Sequence, residues 1–324
     1  MRVTVVVPLY NKANHVRRCL ASIAAQTVQE FEAIIVDDGS TDGGAAIAES
    51  FGDPRFRVVH QANAGPGAAR NRGIAEAQGE YTAFLDSDDK WLPHFLERNI
   101  PYLDQYPEAL CVSGGSIHFP EGLPCKARWT PRGIVEGLHT GSPATPVPLF
   151  TAMVAYMTPS MTMARTEALR RWGGFYGGGC RFAEDAMLWL KFLLNGSVYL
   201  HFDPLTEFHK EASILSRNYQ GPRPVEPYLC DPEALRTICR PELRPLLESF
   251  LTSNACKTAC MLGYWGDWRR ARGLVRRFVK PGDWRTPLFG AALLSATPLA
   301  GLAGYVLRRV APRRERPVPA VAQE

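Results

Sequence analysis

The sequence predicts an α/β fold: a mostly parallel sheet flanked by helices, followed by a helical and basic C-terminal extension. Three observations carry this expectation. Apolar strand signals and helix signals alternate through the first hundred residues, polar residues gather where the apolar runs end, and positive charge collects at the far end of the chain. Alternation favours parallel pairing, because each crossover helix returns the chain to the same edge of the sheet.

In order, Arg2 to Val7 reads as a strand, about Asn14 to Gln26 as a helix, and Phe31 to Val36 as a strand followed by a helix after Asp42. A strand follows near Phe56 to His60, then a helix over about Gly67 to Ala77 and a buried strand over Gly79 to Leu85. Leu92 to Tyr106 reads as a helix and Leu110 to Ser113 as a strand, whereas recurrent Gly and Pro from Ser116 to Pro148 predict a long loop region. Met157 to Ala164 is expected to be a strand, Thr166 to Trp172 a helix ending at Gly173-Gly174, and Ala183 to Leu194 a helix ending at Asn195-Gly196. Beyond a Pro-rich segment at 220–232 the remainder reads as helical. The expected boundaries are 1–220 for the α/β domain, divided near 115, and 221–324 for the extension.

The formal net charge of +5 is unevenly distributed, since residues 262–324 hold 12 Lys and Arg against 4 Asp and Glu. A net acidic remainder argues against a nucleic-acid-binding domain and for a tail that meets an anionic surface. The 8 cysteines form no CxxC pair and read as reduced thiols in a cytosolic compartment. Val3 to Val7 is too short an apolar run for a signal peptide. Pro287 to Leu307 lacks any charge and is long enough to span a bilayer, or else to form a hairpin packed on the protein. Upstream, Trp265, Trp268, Leu274, Val275, Phe278 and Val279 interleave with arginines, as in a basic amphipathic helix lying on a membrane. Residues 265–310 are thus expected to contact an anionic membrane surface, on the inner face of the cell membrane.

Phe84-Leu85-Asp86-Ser87-Asp88-Asp89 places three carboxylates within four residues at the carboxyl end of an apolar strand, where open α/β sheets bind ligands. Crowded carboxylates repel one another unless a cation lies among them, and Mg2+ or Mn2+ bound with substrate phosphates suits such a site. Alternatively the run caps the helix that follows. Three further motifs end strands or begin helices at the same edge: Pro8-Leu9-Tyr10-Asn11, with a ring able to stack on a base; Asp37-Asp38-Gly39, with a carboxylate able to accept an imide hydrogen; and Gly65-Pro66-Gly67-Ala68-Ala69-Arg70-Asn71-Arg72, a helix start that suits phosphate. Each has an ordinary structural alternative, but four on one edge are hard to attribute to coincidence.

With these motifs together, and with RRWGGF followed by FAEDAMLWLKF, the chain resembles a family 2 inverting glycosyltransferase of the Rossmann-like GT-A fold over about residues 2–215. The resemblance implies transfer of a sugar from a nucleotide-diphosphate donor, UDP-linked by expectation, to a hydroxyl of a glycan or lipid-linked glycan in cell-envelope or exopolysaccharide assembly. It assigns Pro8, Tyr10, Asn11, Asp38, Arg70 and Asp86 to the donor. Asp86-Ser87-Asp88 matches the DXD motif, with Asp88 as the direct metal ligand, Asp89 able to exchange roles with it, and Asp86 beside the ribose or sugar. Glu184-Asp185 matches the ED pair, with Asp185 as the catalytic base, and His209 matches a late histidine that completes the metal or diphosphate site. Trp129, Tyr156 and Tyr176 are expected to line the acceptor side. A processive synthase is disfavoured, because Arg171-Trp172 lacks the accompanying Gln and precedes the ED pair. The non-enzyme alternative is an inactive sugar-nucleotide-binding or scaffold protein at the membrane.

Overall fold

A computed structural model describes residues 1–119, 121–177, 182–209 and 222–300. The first strands and helices alternate as expected: β1 (Val3–Leu9), α1 (Ala13–Ala24), β2 (Phe31–Asp37), α2 (Gly44–Glu49), β3 (Phe56–His60), α3 (Pro66–Glu76) and β4 (Tyr81–Phe84). They are followed by β5 (Lys90–Trp91), α4 (Phe95–Gln105) and β6 (Ala109–Phe119). β1 is apolar and β-branched on both faces because both are covered, and Val3, Val5, Val6 and Val7 are fully buried.

The strand order is β3-β2-β1-β4-β9-β6-β10-β5, with β9 spanning Thr162–Arg165 and β10 spanning Ser197–His209. The first four strands are parallel. β9 then runs antiparallel to both β4 and β6, and β5 antiparallel to β10, so the sheet is mixed rather than uniformly parallel. A central sheet flanked by helices is thus present, with further helices toward the C-terminus.

Three stretches differ from expectation; of Met157 to Ala164, expected as a strand, only Thr162–Ala164 is one, after a 3-10 turn at Pro159–Met161. β10 is the longest strand, yet Asp203-Pro204 interrupts its apolar pattern; the register against β6 shifts at Pro204, which has no N–H to donate to the ladder. Residues 116–148, expected as loop, hold the end of β6, the short strands β7 (Leu123–Pro124) and β8 (Gly137–Thr140), α5 (Lys126–Trp129) and the start of α6 (Val147–Tyr156). Pro148 there lies in the first helical turn, where no N–H is needed. Trp129 and Tyr156, expected at the acceptor side, are buried and meet edge to face, so they are core residues. α7 (Thr166–Arg171) follows β9, and α8 (Ala186–Asn195) starts after Asp185, whose carboxylate accepts from the Ala186 N–H.

The chain divides into two compact units, Met1–Tyr219 with Pro224–Phe250, and Gln220–Arg223 with Leu251–Glu324. In the second unit the Trp268–Phe278 helix turns Ala271, Leu274, Val275 and Phe278 inward, and Thr252 Oγ1 donates to the Phe278 carbonyl at 2.9 Å. Of the face read as membrane-lying, Leu274, Val275 and Phe278 are therefore covered by protein, whereas Trp265 is exposed and Trp268 and Val279 are half-buried. Among the described residues no helix is long and apolar enough to cross a membrane. Within the uncharged segment Phe289–Ser295 and residues 298–300 are helical, and 301–307 lie outside the described residues.

Candidate active site

Parallel register decides where the motifs meet. Leu9 pairs with Asp37 and Val6 with Phe84, so the chain leaves β1, β2 and β4 at one edge. A cleft of about 410 Å3 opens there, with Pro8, Tyr10, Asp38, Arg70, Asp86, Asp88 and Glu184 among its walls. Tyr10 is 43% exposed, and its ring is available to a flat ligand.

Arg70 organises the floor. It is 3% exposed; Nη2 donates to Asp86 Oδ1 at 2.6 Å and Nη1 to Glu184 Oε1 at 2.8 Å. The guanidinium also lies over Phe175, with 5.1 Å to the ring centroid. Burial alone disfavours this cation, but the two carboxylates outweigh it and hold its pKa above the usual value. One side chain on α3 thereby ties the turn after β4 to the segment before α8.

The acids of that turn have separate partners. Asp88 Oδ2 accepts from Lys12 Nζ at 2.6 Å, and the Asp88 carbonyl accepts from Arg18 Nη2 at 2.6 Å. Asp89 is buried outside the cleft lining, accepting from Ser160 Oγ at 2.8 Å and from the His209 N–H at 3.2 Å. Burial, with Asp86 and Asp88 adding to it, pushes the Asp89 carboxyl well above its ordinary range. His209, at the end of β10, is in hydrogen-bond contact with Arg18 at 3.0 Å and stacks on Phe119.

Asn11 and Asp38 brace the loops. Asn11 lies outside the cleft lining with φ 51°, a left-handed conformation that Asn tolerates; its Oδ1 accepts from the Thr41 N–H at 2.8 Å. Asp38 accepts from the Ala64 and Gly65 N–H groups, each at 2.8 Å, and from Gln61 Nε2. These bonds shape the approach to α3, while Asp38 still faces the cleft.

Asp185 caps α8 beside Glu184 and accepts from Trp189 Nε1 at 3.4 Å. Burial, with the adjacent Glu184 charge adding to it, pushes its pKa up to about 7. Ala183, immediately before the pair, has φ 53°, costly for a residue with a Cβ. Gly67 packs against this segment, where an added Cβ would collide with the Tyr176 carbonyl. Tyr176 is half-buried, and 178–181 lie outside the described residues.

Lys12, Arg18 and Ser160 carry much of this network, although the sequence motifs gave none of them a role. Lys12 adjoins the Pro8 motif and is traceable in hindsight; Arg18 and Ser160 meet the acidic turn only through tertiary packing. Among the described residues no three His, Cys, Asp or Glu side chains stand together as a ready metal cluster. Asp86 and Asp88 nevertheless offer two carboxylates to the cleft, an oxygen set that fits Mg2+ or Mn2+ once substrate phosphates contribute.

Residues 4–173, over half of the chain, match Glycosyl transferase family 2. The chain belongs to this family. It is 47% identical over 98 residues to a putative glycosyltransferase, EpsH, of Bacillus subtilis, covering 30% of this chain and 28% of that protein. To TuaG of the same organism, a putative teichuronic acid biosynthesis glycosyltransferase, it is 38% identical over 125 residues, covering 38% of this chain and 50% of the relative. The chain thus spans half or less of the length of these relatives. Among solved structures, residues 1–349 of S. aureus TarS in complex with UDP match with a TM-score of 0.64 at 18% identity, covering 95% of this chain and 91% of that one. This likeness supports the GT-A fold of the family 2 chain.

Proposed function

We propose that this family 2 chain transfers a sugar from a UDP-linked donor to a hydroxyl of a glycan or lipid-linked glycan, with inversion and with a divalent metal, in cell-envelope or exopolysaccharide assembly. The observation that carries this reading is the Asp86–Arg70–Glu184 bridge, which joins the acidic turn to the residue beside Asp185 across one cleft. The UDP complex of TarS and the teichuronic acid biosynthesis for which TuaG is named support the donor and the pathway class.

In this reading the base stacks near Tyr10 between Pro8 and Asp38, and the diphosphate lies toward the N-terminus of α3, where free N–H groups favour anions. Asp88, with Asp86, would hold the metal, which supplies positive charge against the departing diphosphate. Asp89, whose oxygens bond Ser160 and the His209 N–H, positions the turn rather than ligating, and His209 supports it through Arg18. Asp185 accepts the acceptor hydroxyl's proton as the new bond forms. A carboxylate with a pKa near 7 is a far better base than one in water, yet remains largely ionised just above neutrality. Arg70 maintains the separation of the two acidic groups and screens their charges.

The test is transfer from a panel of UDP- and other nucleotide-sugars to lipid-linked and free glycans with Mn2+, with the product's anomeric configuration read by NMR. Donor binding without turnover on any acceptor would favour the scaffold alternative. A retained anomeric configuration would exclude the inverting mechanism.

A further inference from the structure

From Trp284 to Ala300 the second unit exposes apolar side chains in succession: Trp284 at 63%, Leu294 at 71% and Leu299 at 74%, with Leu288 and Leu293 also exposed. A soluble surface rarely leaves so many large aliphatic groups together without a partner. The Trp268–Phe278 helix supplies the second observation. Its outward face carries Arg269, Arg270, Arg272, Arg276 and Arg277, all exposed, while its apolar face is buried. This helix packs beside the Phe289–Ser295 helix, and Arg285 lies 4.8 Å from the centroid of the Trp284 ring, so cations border the apolar segment directly. Between Trp265 and Ala300 only Asp267 and Asp283 oppose seven Lys and Arg.

We infer that this part of the second unit docks on an anionic lipid bilayer, inserting Trp284, Leu288, Leu294 and Leu299 among the headgroups while the arginine face supplies attraction. The mode differs from an amphipathic helix lying on its apolar face, because that face is already occupied. Charge selects the partner. A second copy would bring a like-charged arginine face and so does not complement the patch, and residues 308–324, with five arginines against two glutamates, add to the positive charge. Exposed aliphatic side chains, unlike stacking rings alone, match acyl chains rather than nucleic-acid bases. Each arginine near such a surface is worth about five-fold in partitioning, and the attraction weakens with salt.

Docking stands independently of the sugar-transfer reading, because its test uses no donor. The full chain is sedimented with vesicles of phosphatidylcholine alone and with about one third phosphatidylglycerol. Expected is binding to the anionic vesicles, lost at high salt and reduced roughly 25-fold by Arg272→Gln with Arg276→Gln. Trp284→Ala with Leu294→Glu is expected to abolish what remains at high protein concentration, with an unchanged melting temperature showing that the variant folds. Equal binding to neutral vesicles, wild-type binding by either double variant, a concentration-dependent dimer lost in Leu294→Glu without vesicle binding, or displacement from vesicles by duplex DNA would each overturn the inference.

Discussion

Lys12 Nζ lies 2.6 Å from Asp88 Oδ2, with both side chains mostly buried at the mouth of the cleft. An ammonium therefore stands beside the carboxylate proposed to ligate the metal. Replacing it with an uncharged chain of similar length removes a competitor for that oxygen. Lys12→Met is expected to bind Mn2+ about five-fold more tightly, as suits a partly screened ion pair. Titration calorimetry with Mn2+ alone measures this, and unchanged or weaker binding would separate Lys12 from the metal site.

Asp88→Ala is expected to abolish the gain in UDP affinity that Mn2+ confers, whereas Asp89→Asn should leave most of that gain intact. The contrast follows from their surroundings, since Asp88 faces the cleft and Asp89 is buried against Ser160 and β10. The opposite pattern in a UDP titration with and without Mn2+ would make Asp89 the ligand.

Asp185 joins stability to activity. Its folded pKa of about 7 lies above the 3.8 of an unperturbed group, so the native state binds the proton more tightly than the unfolded chain. The contribution to stability is therefore favourable at low pH and is lost as pH rises toward 7. Asp185→Asn removes that loss, and its melting temperature at pH 8 should equal or exceed that of the parent protein. Turnover should fall by about 10²–10⁴ with UDP affinity nearly unchanged. In the parent protein kcat should decline about ten-fold per pH unit below about 7, as the base becomes protonated; a flat profile there would remove Asp185 from that role.

Arg70 is buried between two acids, so removing it leaves Asp86 and Glu184 uncompensated. Arg70→Met should destabilise the protein by ~3 kcal/mol or more, and Lys should rescue it poorly because a single ammonium cannot span both carboxylates as a planar fork does. Urea denaturation of the two variants measures this difference.

Gly67→Ala tests the packing between α3 and the Glu184 segment. The added methyl meets the Tyr176 carbonyl, so turnover should fall by more than UDP affinity does. Parallel losses in both would show that the displacement reaches the nucleotide side.

The parallel half of the fold was legible because β1, β2 and β4 are mostly apolar runs, broken internally only by Thr4, Glu32 and Thr82, and separated by helix-length segments, a pattern with one economical solution. β10 was not, because Asp203 and Pro204 break its alternation and its partner β6 is nearly ninety residues away in sequence. Trp129 and Tyr156 were misplaced for a related reason: aromatic residues among Gly and Pro look available in one dimension, and burial depends on what folds over them.

By itself the sequence determined the strand-end motifs, since acids, glycines and a proline at the ends of parallel strands are bound to share one edge. It also determined the basic tail and the residues able to act. Tertiary structure decided how they act together. Arg70 faces Asp86 and Glu184 across gaps of 16 and 114 residues, and Arg18 reaches both Asp88 and His209. The apolar side of the Trp268–Phe278 helix likewise turned inward because neighbouring helices cover it. Periodicity specifies that a face is apolar, whereas whether protein or lipid covers it depends on contacts that local sequence does not encode.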